Sequence, residues 1–201
     1  MADGSILYPV ILAVPARVRT LHPAERTRFL SRHARLALQI SAEKSGLHID
    51  RLEKNERGCP LPFNGVHWSL THKEAYVGAV AAEVVVGIDI EKITPRQTER
   101  LFQKVAGEKE WALVGKPDWK LFHRYWTAKE AVLKASGTGL TELSDCRVLE
   151  VIDENLLTLE HRGAIQQVVH FYFEDHIASI VRCKPEIEWT LLHEIPGAGN
   201  N

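Results

Sequence analysis

The chain has 201 residues, of which 45% are hydrophobic and 25% charged, with 13 Gly and 9 Pro, a composition that excludes a collagen, a coiled coil and a disordered tail. It is long enough for one large domain or two small ones, and either can bury a working core. Lys and Arg total 25 against 26 Asp and Glu, a net charge of −1, so no global field draws the protein to nucleic acid or to an anionic membrane. A charged partner has to be met by a local patch.

The three cysteines, Cys59, Cys146 and Cys183, are far apart and share neither C-x-x-C nor zinc-ligand spacing, which points to a reducing, cytoplasmic setting. The apolar run from Ile6 to Val14 reads as a first β-strand and not as a signal segment, because Asp3 precedes it and Pro9 interrupts it. No stretch approaches the roughly 18 apolar residues of a membrane span. Pro23 then opens a long amphipathic helix, with Phe29, Leu30, Ala34, Ala37, Leu38 and Ala42 at helical spacing and Gly46 as its stop. Arg26, Arg28, Arg32 and Arg35 make it Arg-rich.

After a loop marked by Gly58, Pro60, Pro62 and Gly65, three strand-like runs follow, Val66 to Thr71, Tyr76 to Ala81 and Val84 to Glu91, with turns near Glu74 and Glu83. From Thr94 the period returns to helix, with Pro95 at a helix start, a short element over Glu108 to Val114 and a longer one from Asp118 to Ala135. Five further strands are expected: Cys146 to Ile152, Leu156 to Glu160, Gln166 to Phe173, Ile177 to Arg182 and Ile187 to His193. Gly197 to Asn201 reads as a loose tail. The order is β-α-β-β and then β-α-α-β-β-β-β, an α+β protein of two similar subdomains, residues 1–86 and 87–201, with an active site at their junction.

Four segments carry chemistry. In the strand from Val86 to Glu91, Ile88 and Ile90 point into a core while Gly87, Asp89 and Glu91 share the opposite face. The two carboxylates lie about 7 Å apart at Cα, close enough to lean onto one divalent cation, and Gly87 leaves room for a bulky ligand; alternatively the acids simply face water. On the helix from Tyr125 to Lys134, Leu121, Tyr125, Ala128, Val132 and Ala135 form the apolar stripe, and His123, Trp126, Thr127, Glu130 and Lys134 share the other side. Glu130 and Lys134 are an i,i+4 pair, and a carboxylate and an ammonium on one face also suit a metal-bound polyphosphate. Lys134 to Leu140 ends the helix in closely spaced glycines, fit for a C-cap or for close approach to a ligand. In Trp68 to His72, Trp68 and Leu70 turn inward, Ser69 and Thr71 outward, and His72 closes the strand; a zinc site on His67 and His72 lacks a third ligand.

Gly87-Ile88-Asp89-Ile90-Glu91, then Trp126-x-x-Lys129-Glu130-Ala131-x-x-Lys134, with Ser69-Leu70-Thr71-His72 upstream, together resemble the 4′-phosphopantetheinyl transferase superfamily over residues 58–140. In length the chain is similar to the larger pseudo-dimeric, surfactin-synthetase type. The resemblance implies a magnesium-dependent enzyme that moves the 4′-phosphopantetheine arm of coenzyme A to a serine hydroxyl of a carrier protein, leaving adenosine 3′,5′-bisphosphate. It implies Asp89, Glu91 and Glu130 as metal ligands, Lys134 beside the diphosphate, and Thr71 and His72 near the 3′-phosphate; the carrier serine also needs a base, for which Glu130, directly or through a bound water, is the candidate. The family's Gly-Lys-Pro is here Gly58-Cys59-Pro60, so a cation expected at the 3′-phosphate is missing; Arg57 or the Arg-rich first helix is the candidate replacement.

Carriers of this family's type are acidic, and from Arg96 to Lys134 nine basic residues face five acidic ones, a local excess suited to docking such a partner or to a solvated helical face. Nothing in the run offers an aromatic platform for nucleic acid. The expected protein is a cytoplasmic monomer. Two other readings use the same residues: a different Mg²⁺-dependent enzyme such as a phosphohydrolase, and a non-catalytic module that binds coenzyme A or a carrier.

Overall fold

The computed structural model describes residues 6–98 and 100–194, so the expected tail over Gly197 to Asn201 lies outside the described residues. In chain order the elements are strands β1 (Ile6–Leu7) and β2 (Val10–Ala13), helix α1 (Pro23–Lys44), strands β3 (His67–His72), β4 (Tyr76–Ala82) and β5 (Ile88–Lys92), helices α2 (Arg100–Val105), α3 (Glu108–Trp111) and α4 (Trp119–Ser136), then β6 (Arg147–Asp153), β7 (Leu156–His161), β8 (Ala164–Phe173), β9 (His176–Val181), β10 (Glu186–Ile187) and β11 (Thr190–Leu192). Short 3₁₀ turns at Ala16–Thr20 and Leu140–Asp145 have no counterpart in the sequence reading. The fold is mixed α+β, and no described helix is long and apolar enough to cross a membrane.

Two sheets face each other. One has the order β11-β2-β4-β3 and the other β5-β9-β8-β7-β6. Helix α1 covers the outer face of the first, where Leu30, Ala34, Ala37 and Leu38 pack with Val10, Leu12, Trp68, Val77 and Ala79. Helix α4 covers the outer face of the second, packing Tyr125, Ala128 and Val132 on Leu157, Leu159 and Val168. Between the sheets, Ile88 and Ile180 meet Val80, and Ile90 and Ala178 meet Ile11 and Tyr76. Both faces of β4 and β9 are therefore covered, and every residue in the two strands is buried.

Local chemistry explains where the elements begin and end. Pro9 has no N–H for a ladder, so the first apolar run is two strands and not one. The carbonyl of Tyr8, left out of the ladder, accepts from Ser41 Oγ of α1 at 2.6 Å, and Ser41 Oγ in turn accepts from the Ala81 N–H at 3.0 Å, tying helix to sheet. Asp118 caps α4 by accepting from the Leu121 N–H, and Gly137 at φ 70° ends it in the left-handed conformation that glycine reaches most easily.

Several expectations are corrected. The strand expected from Val84 starts at Ile88. Residues 94–98 are not helical, and α2 starts at Arg100 instead of near Pro95; the segment is held by His123, whose Nε2 donates to the Thr94 carbonyl at 3.0 Å. The last expected strand is two short ones. They pair not with their chain neighbours but in parallel with the first strands, β10 with β1 and β11 with β2, so residues 186–192 return to the first sheet.

Candidate functional site

Strands β3 and β5 are each the edge of their sheet, and they lie against one another. Their polar faces meet in steps of two residues. Ser69 Oγ accepts from the Ile88 N–H at 3.2 Å, Thr71 Oγ1 donates to Asp89 Oδ1 at 2.8 Å, and Lys73 Nζ donates to Glu91 Oε1 at 2.6 Å. Ser69 and Thr71, expected to face outward, are buried because the second sheet covers the side of β3 that α1 does not.

From the other side α4 closes on β5. Gly87 makes this approach possible: a Cβ there would lie 2.0 Å from the Ala131 carbonyl oxygen and 2.7 Å from the Ala135 nitrogen. The space expected for a ligand at Gly87 is thus filled by the helix backbone. That docking brings Glu130 and Lys134 over Asp89 and Glu91, and one ligand atom from each of Asp89, Glu91 and Glu130 lies within 4.8 Å of the others. Lys134 Nζ donates to Asp89 Oδ1 at 2.6 Å and to the Ile88 carbonyl at 3.2 Å, and lies 3.8 Å from Glu130 Oε2. Trp126 Nε1 donates to Glu91 Oε1 at 3.1 Å, and Arg96 approaches Glu91 Oε2 at 3.5 Å.

The electrostatics favour a cation among these acids. Burial, followed by the charge of Asp89, pushes the Glu130 carboxyl up to about 7, while Lys134 and Lys73 pull the other way. Asp89 is fully buried, and its Oδ2 has no hydrogen-bond partner among the described residues. An orphaned buried carboxylate oxygen beside two further acids is an oxygen donor set suited to a hard divalent ion.

The other candidates lie around this cluster. His72 is exposed at the end of β3, its pKa lowered by partial desolvation and then by Lys134. Thr71 turns away from solvent, with its hydroxyl committed to Asp89. Cys59 does not stand in for a cation: its thiol donates to the Gly137 carbonyl at 2.9 Å, and it lines, with Trp68, Val86 and Lys134, a cavity of about 290 Å³ next to the acids. Arg57 is exposed in the preceding turn, and no ion pair links it to the cluster among the described residues. Of the basic run, Arg124 and Lys129 are buried; Arg124 donates to the Asp153 and Leu156 carbonyls, and Lys129 pairs with Glu110 at 2.7 Å. Glu99 of that run lies outside the described residues.

Lys73 is the residue the sequence reading misses. Its signal is parity: it continues the face of Ser69 and Thr71 by two more residues, just as Glu91 continues that of Asp89.

Residues 85–182 match the family model of the 4′-phosphopantetheinyl transferase superfamily. The chain is 28% identical over 155 residues to the L-aminoadipate-semialdehyde dehydrogenase-phosphopantetheinyl transferase of Rattus norvegicus, covering 61% of this chain and 50% of that protein. It is 34% identical over 109 residues to the 4′-phosphopantetheinyl transferase HetI of Nostoc sp., covering 49% of this chain and 46% of the relative. With the 4′-phosphopantetheinyl transferase gsp of Aneurinibacillus migulanus the identity is 30% over 92 residues, 43% of this chain and 38% of the relative. The chain spans about half or less of the length of these relatives. Over residues 85–182, just under half of its length, the chain is therefore similar to the 4′-phosphopantetheinyl transferase superfamily.

Proposed function

We propose that this protein transfers the 4′-phosphopantetheine arm of coenzyme A to a serine hydroxyl of an apo acyl or peptidyl carrier protein and releases adenosine 3′,5′-bisphosphate. The observation that carries this reading is the meeting of Asp89, Glu91 and Glu130 within 4.8 Å at the seam of the two sheets, in a chain whose matched relatives are named as phosphopantetheinyl transferases.

In this reading the three acids hold Mg²⁺. When bound, the ion supplies charge neutralisation for a diphosphate and for the oxygen that leaves. Lys134, 2.6 Å from Asp89, is placed to meet a diphosphate oxygen at the same point. Glu130 is the candidate to take the proton of the carrier serine, directly or through a water. Thr71 holds Asp89 in place, and exposed His72 meets the 3′-phosphate end of coenzyme A, with Arg57 in support. The rest is positioning, which is most of what phosphoryl transfer asks of a protein. The two sheet units act together with the active site at their seam, the returning strands of residues 186–192 belonging to the first of them, in a cytoplasmic monomer.

The carrier docks on the exposed part of the basic run, Arg100, Lys104, Lys109, Lys116 and Lys120. Lys116→Glu then raises the KM for an acidic carrier and leaves that for coenzyme A unchanged; equal carrier kinetics in the variant would move the docking face elsewhere.

The deciding experiment is intact mass spectrometry of a panel of apo carriers incubated with the protein, coenzyme A and Mg²⁺. The expected result is a mass gain equal to the phosphopantetheine arm on a serine. Coenzyme A cleaved without any carrier would instead make the protein a phosphohydrolase, and binding without reaction would make it a non-catalytic module.

A further inference from the structure

The two acids of β5 are held differently. Asp89 keeps Oδ2 without a partner among the described residues, whereas both oxygens of Glu91 face protein donors. Lys73 and Trp126 donate to Oε1 at 2.6 and 3.1 Å, and Arg96 stands 3.5 Å from Oε2. A cation arriving at the cluster finds Asp89 open and Glu91 engaged. Lys73 is the nearest of the charged groups on Glu91, and its side chain is 32% exposed, so a flexible four-carbon stem can swing its ammonium away without unpacking a core.

We propose that Lys73 is an internal counter-cation, which competes with a divalent metal for Glu91 and, once displaced, binds an anionic oxygen of the ligand that arrives with the metal. The inference rests on reading the three acids as a metal centre. Charge arithmetic supports it: Asp89, Glu91 and Glu130 are opposed by Lys73, Lys134 and Arg96 at the same spot. A dication alone leaves that balance strongly positive, and a dication with a diphosphate restores it. Lys73, paired with Glu91 at 2.6 Å, repels a bare dication at the same carboxylate, and that repulsion is what makes metal uptake depend on the anionic ligand. Lys73 is in this sense a positioning residue, set against Glu91 before the ligand arrives and against a phosphate oxygen afterwards.

The test is a Mn²⁺ titration of the metal-free full-length chain, with free Mn²⁺ counted by electron paramagnetic resonance. Lys73→Met should bind Mn²⁺ about tenfold or more tightly than the parent, because a unit charge close to a dication is removed from a partly buried site, while Lys73→Arg stays near the parent. With saturating coenzyme A the parent should gain more Mn²⁺ affinity than Lys73→Met does. Lys73→Gln, which loses the same charge, serves if the Met variant does not fold. Binding of Mn²⁺ by the neutral variant no tighter than by the parent would overturn the role of Lys73 and leave the metal centre standing. Absence of Mn²⁺ binding in parent and variants alike would overturn the metal centre and this inference with it.

Discussion

Gly87→Ala is the substitution most sharply constrained by the geometry. The new methyl carbon would stand 2.0 Å from the Ala131 carbonyl oxygen and 2.7 Å from the Ala135 nitrogen. Both are helix backbone, so no rotamer change relieves the clash, and α4 must move off β5 by about 1 Å to restore an ordinary contact. Overpacking of this kind costs about 3 kcal/mol or more, which for a chain of this size lowers the melting temperature by about 6–12 °C. The displacement also carries Glu130 and Lys134 away from Asp89, so Mn²⁺ affinity should fall by at least about tenfold, one tenfold step being 1.4 kcal/mol. Gly78→Ala is the internal comparison, because its methyl meets the flexible Cδ1 of Ile90 at 2.6 Å and the Thr71 Cγ2 at 3.1 Å; about 1 kcal/mol and a drop of about 2–4 °C are expected there. Circular dichroism melts and a Mn²⁺ titration read both effects. A Gly87→Ala protein that melts with the parent and binds Mn²⁺ equally well would refute the close docking of α4 on β5.

Other consequences are as direct. Lys129→Met leaves the largely buried Glu110 carboxylate without its ammonium, with only the Val148 and Gly107 N–H groups donating to it, and should cost about 3 kcal/mol in urea unfolding, with part of the loss recovered in the Lys129→Met, Glu110→Gln double variant; full additivity of the two changes would contradict a coupled pair. His170 is buried, donates or accepts at Ser179 Oγ over 2.8 Å, and has its pKa driven well below the ordinary value by desolvation and then by Arg124. The unfolded chain takes up the proton that the folded one refuses, so His170 costs stability as pH falls below about 6.5, by at most about 1.4 kcal/mol per unit. The stability gap between parent and His170→Asn should accordingly narrow over that range, and a gap independent of pH would show that the folded ring takes up its proton as readily as the unfolded one. His72→Ala should raise the KM for coenzyme A more than it lowers kcat, with the difference lost on dephospho-coenzyme A; a fall in kcat at unchanged KM would put His72 at the chemistry.

Much of the frame is legible in the residues. Periodicity places α1 and α4, because Pro23, Gly46, Asp118 and Gly137 act at helix ends whatever surrounds them. Alternation places Ile88 and Ile90 opposite Asp89 and Glu91, because the period of a strand is local. What periodicity cannot supply is what lies across from a face. Ser69 and Thr71 look like solvent-facing residues until a second sheet covers them, and Gly87 looks like room for a ligand until α4 fills it. Lys73 goes unmarked in the sequence, since its meaning depends on Glu91, 18 positions further along the chain. The return of residues 186–192 to the first sheet is equally silent, for parallel pairing with β1 and β2 is decided by the path of the chain and not by the side chains that pair.

The most direct test of the site is an anomalous difference map from crystals of the full chain grown with Mn²⁺ and coenzyme A. One metal peak is expected at direct-coordination distance, roughly 2–2.3 Å, from oxygens of Asp89, Glu91 and Glu130, with diphosphate oxygens on its open side. A map with no peak among these three side chains, or with Lys73 still bound to Glu91 and the metal held elsewhere, would contradict it.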